Sequence, residues 1–200
     1  MAVYVLRVWL PDRPGGLGAV ASRVGAVGGD VIGIEIVERG GGRAVDDLVV
    51  DIPGEDLLEL LLHEVNQVDG VDVEDVRGLD GPPPDLAVVA LEVALGVTTA
   101  STDDVRLAAL VDGVVELVHA DWVAVVDAAG VLVASTGVDL PAEAWIVAFA
   151  SGVSTGADPA GVPELVVGPL TSGGIVVAGR SSAPFRSRER DLVRALGRLA

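Results

Sequence analysis

The chain has 200 residues, of which half are hydrophobic and only 3% aromatic, so it can bury the core of one large domain or of two small ones. It contains no cysteine, and its thirteen cationic side chains are all arginine, which excludes disulfides, thiolate metal sites, a phosphate-loop lysine and a Schiff-base lysine. The formal net charge of −17 would repel a phosphate backbone and argues against a nucleic-acid partner.

The apolar segments do not resemble signal peptides or membrane spans. The longest one, residues 86–99, is interrupted by Glu92, and the N-terminal one is short and carries Arg7. Because a spanning helix needs about 20 predominantly apolar residues, we expect a cytoplasmic protein that has no membrane partner.

Residues 1–79 alternate between strand and helix patterns in the order βαββαβ. Period-two alternation marks strands and apolar stripes of helical period mark helices. The predicted strands are residues 3–10, 31–39, 44–53 and 71–79, and the predicted helices are 17–28 and 54–68. The glycine turn at 40–43 joins two strands directly, which predicts a β-hairpin. This order is typical of the ferredoxin-like split arrangement.

The loop after the first strand contains Gly16-x-Gly18-x-x-Ala21, a loose form of the dinucleotide-binding fingerprint, and Glu35 and Glu38 follow about 20 residues later. A doubly wound fold would need a crossover helix after the second strand and further parallel strands. A hairpin follows instead, so nucleotide binding is the weakest of the interpretations that we consider for this loop.

Three consecutive prolines at 82–84 cannot continue a helix or a central strand, which predicts a stiff linker over residues 80–85. Beyond it, residues 86–200 predict an α+β unit with an antiparallel sheet and flanking helices. The predicted helices are 86–97, 103–120 (capped by Asp103 or Thr102), 141–152 and 187–200; the strands are 164–170, 173–180 and two within 121–136, and 154–161 is a loop.

The stretch PDRPGGL, residues 11–17, resembles the loop between the first strand and first helix of the ACT domain, a small regulatory module that senses amino acids and related metabolites. With the βαββαβ order, the resemblance covers residues 3–79. It implies that two domains pair as a homodimer and that a small ligand binds at their interface, against this loop.

The physical chemistry of the loop indicates the same place for a ligand. Glycine amides at a helix N-terminus favour a carboxylate, and Asp12 would receive an ammonium group. The candidate ligand-binding residues are Asp12, Gly15, Gly16, Leu17, Val31 and Ile32. ACT domains that bind amino acids often have asparagine at the start of the second strand, where this chain has Val31. The alternative interpretation of the loop is a turn and helix start without a ligand.

Residues 117–135 and 173–196 resemble parts of the GAF domain, a sensory module related to PAS domains. The first stretch is similar to the helix and first hairpin of that family, and the second, with Arg180, Pro184 and Glu189, to its final strand and helix. The resemblance implies no ligand for this unit, because no cysteine is present to hold a bilin and no cyclic-nucleotide pattern is found.

The remaining polar residues do not form a catalytic pattern. His63 and His119 lie in different predicted units, so a metal or relay site would need them to meet between units. Asp46, Asp47 and Asp51 offer a possible cation site. Strand alternation places Asp47 and Asp51 with Arg7 and Glu35 on the outer sheet face, which we expect to be solvated rather than a metal site.

Six arginines from residue 180 to residue 198 form a basic end, which we expect to dock onto an acidic surface.

We therefore predict a non-enzymatic regulatory protein, without cofactor or metal, whose first unit binds a small metabolite, with an amino acid as first candidate, and forms a homodimer. The dimer prediction rests on Trp9, Val37 and Val49, which strand alternation leaves on the helix-free face or an edge of a small domain. The rival prediction is a structural adaptor that binds a protein partner and no small ligand.

Overall fold

The computed structural model describes residues 2–156 and 162–200. The chain divides into two compact units, Met1–Pro83 and Pro84–Ala200. Each unit contains one four-stranded sheet in which every neighbouring pair is antiparallel. The predicted α+β class is confirmed. Residues 157–161 of the predicted loop lie outside the described residues.

The first unit follows the predicted βαββαβ order, and its sheet has the strand order β2-β3-β1-β4, which is the ferredoxin-like topology. Its elements are β1 (Ala2–Pro11), α1 (Gly16–Ala26), β2 (Asp30–Gly40), β3 (Arg43–Ile52), a 3₁₀ turn (Glu55–Leu57), α2 (Leu58–Asn66) and β4 (Asp72–Leu79). The hairpin between β2 and β3 turns at Gly41 and Gly42, whose φ angles are 59° and 77°. Positive φ at both central residues matches a type I′ turn and explains the glycines.

One face of this sheet carries the core of the unit. Strand alternation turns Leu6, Val8, Leu48 and Val50 to the same side, where Val20 and Val24 of α1 and Leu61 and Val65 of α2 pack against them. All eight side chains are fully buried. The amphipathic stripes predicted from the sequence are therefore what hold the helices on the sheet.

The opposite face carries a buried ion-pair cluster, so the expectation of a solvated face is wrong for Arg7 and Asp47. The two residues are opposite each other in the β1–β3 register. Arg7 Nε donates to Asp47 Oδ1 at 2.7 Å and Arg7 Nη2 donates to Oδ2 at 2.8 Å, while Arg77 Nη2 donates to the same Oδ2 at 3.1 Å. These bidentate, charge-assisted hydrogen bonds are what make burial of the carboxylate tolerable.

The apolar residues on which the dimer prediction rests are also covered. Val37 is buried and Val49 half-buried, and the half-buried Trp9 donates from Nε1 to Glu74 Oε1 at 3.1 Å. The guanidinium of Arg43 lies 5.0 Å from the centre of the Trp9 ring. That surface is therefore not the exposed apolar patch of this unit.

The exposed apolar residues of the first unit lie on its edge strand β2. Ile32, Ile34 and Ile36 are 45%, 50% and 42% exposed. Ile34 is opposite Leu48 and therefore points to the helix-bearing side. None of the three isoleucines joins the cluster that packs around α1 and α2, because the helices cover the central strands and leave this edge open.

In the second unit each helix and strand predicted from the sequence is found, and the sheet order is β6-β5-β8-β7. Its elements are α3 (Leu86–Thr99), α4 (Asp103–Val118), β5 (Trp122–Val126), β6 (Leu132–Gly137), α5 (Glu143–Ser154), β7 (Leu165–Pro169), β8 (Ile175–Gly179) and α6 (Ser187–Gly197). Thr102 caps α4, since its Oγ1 accepts from the Val105 amide at 3.3 Å. Every residue of β5 is buried, because α4 packs on one side of it and α5 on the other.

The buried Arg180 side chain connects several segments of this unit through hydrogen bonds. Its Nη1 and Nη2 donate to Glu189 Oε1 and Oε2 at 2.7 and 2.9 Å. Its remaining donors reach the carbonyl oxygens of Ala183 at 2.7 Å, Val118 at 2.8 Å and Pro184 at 2.7 Å. The ends of α4 and β8 and the start of α6 are therefore held by one guanidinium.

Arg190 also has a structural role, since it donates to the carbonyl oxygens of Phe185 at 3.1 Å, Leu165 at 2.9 Å and Pro163 at 3.1 Å. The expectation that all six C-terminal arginines form a docking surface is therefore wrong for Arg180 and Arg190. Alternation and spacing gave no sign of the carbonyl oxygens that these donors reach.

None of the helices within residues 2–156 and 162–200 combines the length and apolar character that a bilayer crossing requires.

We predict that Arg180→Met lowers the free energy of unfolding of the second unit by about 3–5 kcal/mol, because it removes the guanidinium that neutralises the buried Glu189 carboxylate. The matched control is Arg194→Met, which removes only an exposed contact with Asp191 at 3.5 Å and should change stability by about 0.5 kcal/mol or less. Urea unfolding followed by the fluorescence of Trp122 and Trp145 measures both. Equal effects of the two variants would contradict the structural role of Arg180.

Candidate functional site

The loop between β1 and α1 lies against the β2–β3 hairpin. The Asp12 amide donates to the Gly42 carbonyl oxygen at 3.0 Å. The Asp12 Oδ1 atom lies 3.6 Å from Arg39 Nη2, and both side chains are exposed. An acidic and a basic group are thus held side by side at the end of the sheet where α1 begins.

The N-terminus of α1 is open. Gly15 occupies the cap position with a φ of 91° and supplies no side-chain cap, and the first turn contains no acidic residue. The Gly16 amide donates to the Arg13 carbonyl oxygen at 3.2 Å. Within the described part of the chain, no protein acceptor is found for the amides of Leu17 and Gly18. Unsatisfied amides and the helix dipole make this end favourable for an anion.

The sequence predicted that Gly16 contacts a ligand, but the structure gives this residue a role in the turn itself. Its amide is used by the turn, and a Cβ there would lie 2.9 Å from the Pro11 carbonyl oxygen. A Cβ on Gly18 would meet nothing within 4 Å. Glycine at position 16 is therefore required by the close approach of the chain to itself, whatever binds at the loop.

Asp46, which the sequence analysis considered only as a possible cation ligand with Asp47 and Asp51, is two residues along β3 from Ala44, the residue opposite Arg39. It is on β3, opposite Val8 and Ile36, and it points to the same face as Leu48. It is only 4% exposed, and its Oδ1 atom has no hydrogen-bond partner among the described residues. Asp46 is two residues before Leu48 on the same strand, so both side chains point to the core side. This spacing was the signal in the sequence that could have indicated its burial.

Burial raises the pKa of the Asp46 carboxyl above its ordinary value. The positive charge of Arg39 opposes this rise, while the negative charges of Asp12 and Asp47 add to it. The pKa of Asp46 therefore depends on Asp12 and Arg39, the two side chains that flank the open helix end. The loop, the hairpin and β3 together form a cluster of two carboxylates and one guanidinium.

Two of the predicted site residues, Val31 and Ile32, lie at the other end of the sheet. Val31 is opposite Val50, whereas Arg43 begins β3 beside the loop. At about 3.3 Å per residue, the strand from Arg43 to Val50 spans roughly 23 Å. One domain therefore brings together Asp12, Gly15, Gly16 and Leu17 but leaves Val31 and Ile32 out of reach.

The histidines take no part in the loop cluster. His63 is exposed on α2, and His119 follows α4 in the second unit with a φ of 49°. Among residues 2–156 and 162–200, no three acidic or histidine side chains converge in a way that would hold a metal ion.

The cluster has the charge pattern of a receptor for a zwitterion. The Leu17 and Gly18 amides and Arg39 offer positive potential to a carboxylate. Asp12, which lies 3.6 Å from Arg39, and Asp46 offer negative charge to an ammonium group. A ligand that carries both groups on adjacent atoms would meet both halves of the cluster.

Residues 4–70 match the family model of the ACT domain. The match includes β1, the loop, α1, the hairpin and α2. The N-terminal part of the chain is therefore an ACT domain, which suggests a regulatory role with binding of a small ligand. The GAF resemblance of the second unit is not confirmed by a family match. No curated protein matches the chain.

The chain is also similar to solved structures at low sequence identity. The ACT domain of a GTP pyrophosphokinase from Chlorobium tepidum is 18% identical, covers 40% of this chain and 100% of its own, and superposes with a TM-score of 0.32. An unknown protein from Galdieria sulphuraria is 12% identical, covers 99% of this chain and 91% of its own, and has a TM-score of 0.36.

We predict opposite effects for alanine at two neighbouring glycines of α1. Gly16→Ala should lower the free energy of unfolding by about 1–3 kcal/mol, because the new methyl group is forced against a backbone oxygen. Gly18→Ala should raise it by about 0.5–1 kcal/mol, because alanine favours the helix and the space is open. Urea unfolding of the full chain measures both. A neutral Gly16→Ala would show that the turn is not the reason for that glycine.

Proposed function

We propose that the protein is a non-enzymatic, cytoplasmic regulator whose ACT domain binds an α-amino acid or a closely related metabolite at the β1–α1 loop. The observation that carries the proposal is the open N-terminus of α1 beside the exposed Asp12–Arg39 pair. A helix N-terminus without a cap attracts a carboxylate, and Asp12 gives the ammonium group a partner at the same place.

The ligand would lie with its carboxylate against the amides of Leu17 and Gly18 and its ammonium group against Asp12. Arg39 pairs with Asp12 at 3.6 Å, which is longer than a strong charge-assisted hydrogen bond. Since both side chains are exposed, Arg39 can turn to the ligand carboxylate at little cost. Binding would then exchange one loose ion pair for two closer ones.

We further propose that two copies pair through the edge strand β2. Its outer edge is unpaired within the described chain, and with its exposed isoleucines at 32, 34 and 36 it is the kind of apolar edge strand that another strand can extend. Antiparallel pairing centred near Glu35 would place the Val31–Ile32 end of one strand beside the Arg39 end of the other. Such pairing would bring Val31 and Ile32 of one copy into the same site as the loop of the other, as the sequence analysis expects.

For the second unit we propose a GAF-like sensory or docking role. Two hairpins form one antiparallel sheet with helices on both faces, which agrees with that family in general architecture. The adaptor alternative is favoured by α3, on which Val88, Leu91 and Leu95 are 49%, 71% and 61% exposed. An apolar helical stripe of this kind is suited to a protein partner.

A thermal-shift screen of the full chain against the protein amino acids and common nucleotides tests the function. A ligand at about 100 times its dissociation constant should stabilise the folded state by about 2.7 kcal/mol. A higher melting temperature with an amino acid supports the proposal. A higher melting temperature with a nucleotide supports nucleotide binding at the glycine loop instead. Silence with both sets would favour the adaptor.

We predict that Asp12→Asn weakens the affinity for the responding amino acid by about ten- to a hundredfold, because a charge-assisted contact is lost. The control is Asp69→Asn, which removes a carboxylate that is fully exposed and 3.8 Å from Arg13, and which should leave affinity unchanged. Calorimetry gives the affinities and urea unfolding the stabilities. If Asp12→Asn destabilises the protein and binds as the wild type does, the loop is a turn without a ligand.

We predict that Ile34→Lys converts a dimer into a monomer, because a charge on an edge strand prevents strand addition. Val105→Lys, at an exposed valine of α4, is the control and should leave the mass unchanged. Light scattering of the full chain at micromolar concentration measures the mass. A monomeric wild type, or a dimeric Ile34→Lys variant, would contradict pairing through β2.

A further inference from the structure

Asp46 is a buried carboxylate with one oxygen that no described residue pairs. It is 4% exposed, and its Oδ1 atom has no hydrogen-bond partner among the described residues. Buried polar atoms in folded proteins are nearly always paired, so an exception calls for an explanation. Asp47, the next residue, shows the usual solution, since two arginines bind its carboxylate.

The charged groups around Asp46 come from the elements that form the loop site. Arg39 of β2 is opposite Ala44, which is two residues from Asp46 on the same face of β3. The charges of Arg39, of Asp12 in the β1–α1 loop and of Asp47 on its own strand act on the Asp46 carboxyl. From β1 the facing residue is the apolar Val8, and the first turn of α1 contains no acidic group. Within residues 2–156 and 162–200, Arg39 is the cation that acts on Asp46, and it is shared with Asp12.

We propose that Asp46 is a ligand-contacting residue whose Oδ1 atom accepts a hydrogen bond from the ammonium group of the bound amino acid. The inference rests on the function proposed above and deepens it. Asp12 and Asp46 hold the ammonium group between them, which leaves Arg39 free to turn toward the ligand carboxylate. The site therefore selects compounds with a free α-ammonium group over the corresponding α-hydroxy acids, whose neutral hydroxyl cannot offset two carboxylates.

A pH dependence of binding follows from this contact. In the free protein the pKa of Asp46 is raised by burial, and an adjacent ammonium group lowers it again. Binding therefore favours the ionised carboxyl and releases a proton when the pH is below the raised pKa of the free protein. Affinity for amino acids should rise with pH through that pKa and become constant above it.

The experiment compares the full-length wild type with Asp46→Asn and a matched control, Asp51→Asn. Asp51 is on the same strand and also has a buried oxygen without a partner, but it is opposite Asp30, at the far end of β2 from the loop. The probes are a pool of the protein L-amino acids and a pool of α-hydroxy acids with the same side chains. Thermal shift is measured first, and calorimetry with the responding amino acid follows from about pH 4, near the ordinary pKa of an aspartate, to about pH 8.

The proposal expects the amino-acid pool, and not the hydroxy-acid pool, to stabilise the wild type and Asp51→Asn. Asp46→Asn should bind at least about tenfold more weakly and lose the rise of affinity with pH that the wild type shows. If Asp46→Asn binds with wild-type affinity and pH profile, the contact is overturned while the proposed function stands. If no amino acid stabilises the wild type, both are overturned.

Discussion

The antiparallel pairing of β1 with β3 is the constraint on which the site depends. Because side chains alternate along a strand, the register that sets Val8 opposite Asp46 also sets Arg7 opposite Asp47. Two adjacent aspartates are thus sent to opposite faces of the sheet. One meets two arginines and is neutralised, and the other enters the helix-bearing face without a partner. A slip of one residue would exchange their surroundings.

Most buried charged groups among the described residues are fully partnered, but one carboxylate is not. In the second unit the Arg180 guanidinium is saturated by Glu189 and three carbonyl oxygens, and such a complete set of partners fixes the segments around it. In the first unit Asp47 is compensated in a similar way by two arginines, whereas Asp46, beside the exposed Asp12–Arg39 pair, has an oxygen without a partner among the described residues. A buried polar atom without a partner lowers stability, and groups with perturbed pKa values concentrate at functional sites.

The fold was accessible from the sequence because its local signals agree with one another. The stripe of Val20 and Val24, the Gly41–Gly42 turn and the alternation in β1 each indicate the element that the structure contains. The prolines mark the region where one unit ends and the next begins. Local propensity and global topology point the same way here, which is the condition under which sequence reasoning succeeds.

Much of the site was not accessible in this way, because it depends on which strands become neighbours. The loop and its helix end were found from PDRPGGL, since that signal is local. Arg39 was missed, and Asp46 was considered only as a possible cation ligand, because the pairing of Arg39 with Asp12 and the position of Asp46 on β3 arise only when the hairpin folds back beside β1. The burial of Arg7 and Asp47 was predicted wrongly for the same reason: alternation assigns a face to each side chain, but it does not indicate that two arginines will close over one carboxylate.

The central claim is that the open end of α1 is where a small zwitterion binds, and amide chemical shifts test it most directly. We would record two-dimensional ¹H–¹⁵N spectra of the full chain while adding the pool of protein L-amino acids. The account predicts that the amides of Leu17 and Gly18 shift progressively and saturate, while those of β7 and β8 remain in place. Unmoved Leu17 and Gly18 resonances at millimolar amino acid, or shifts confined to the second unit, would contradict it.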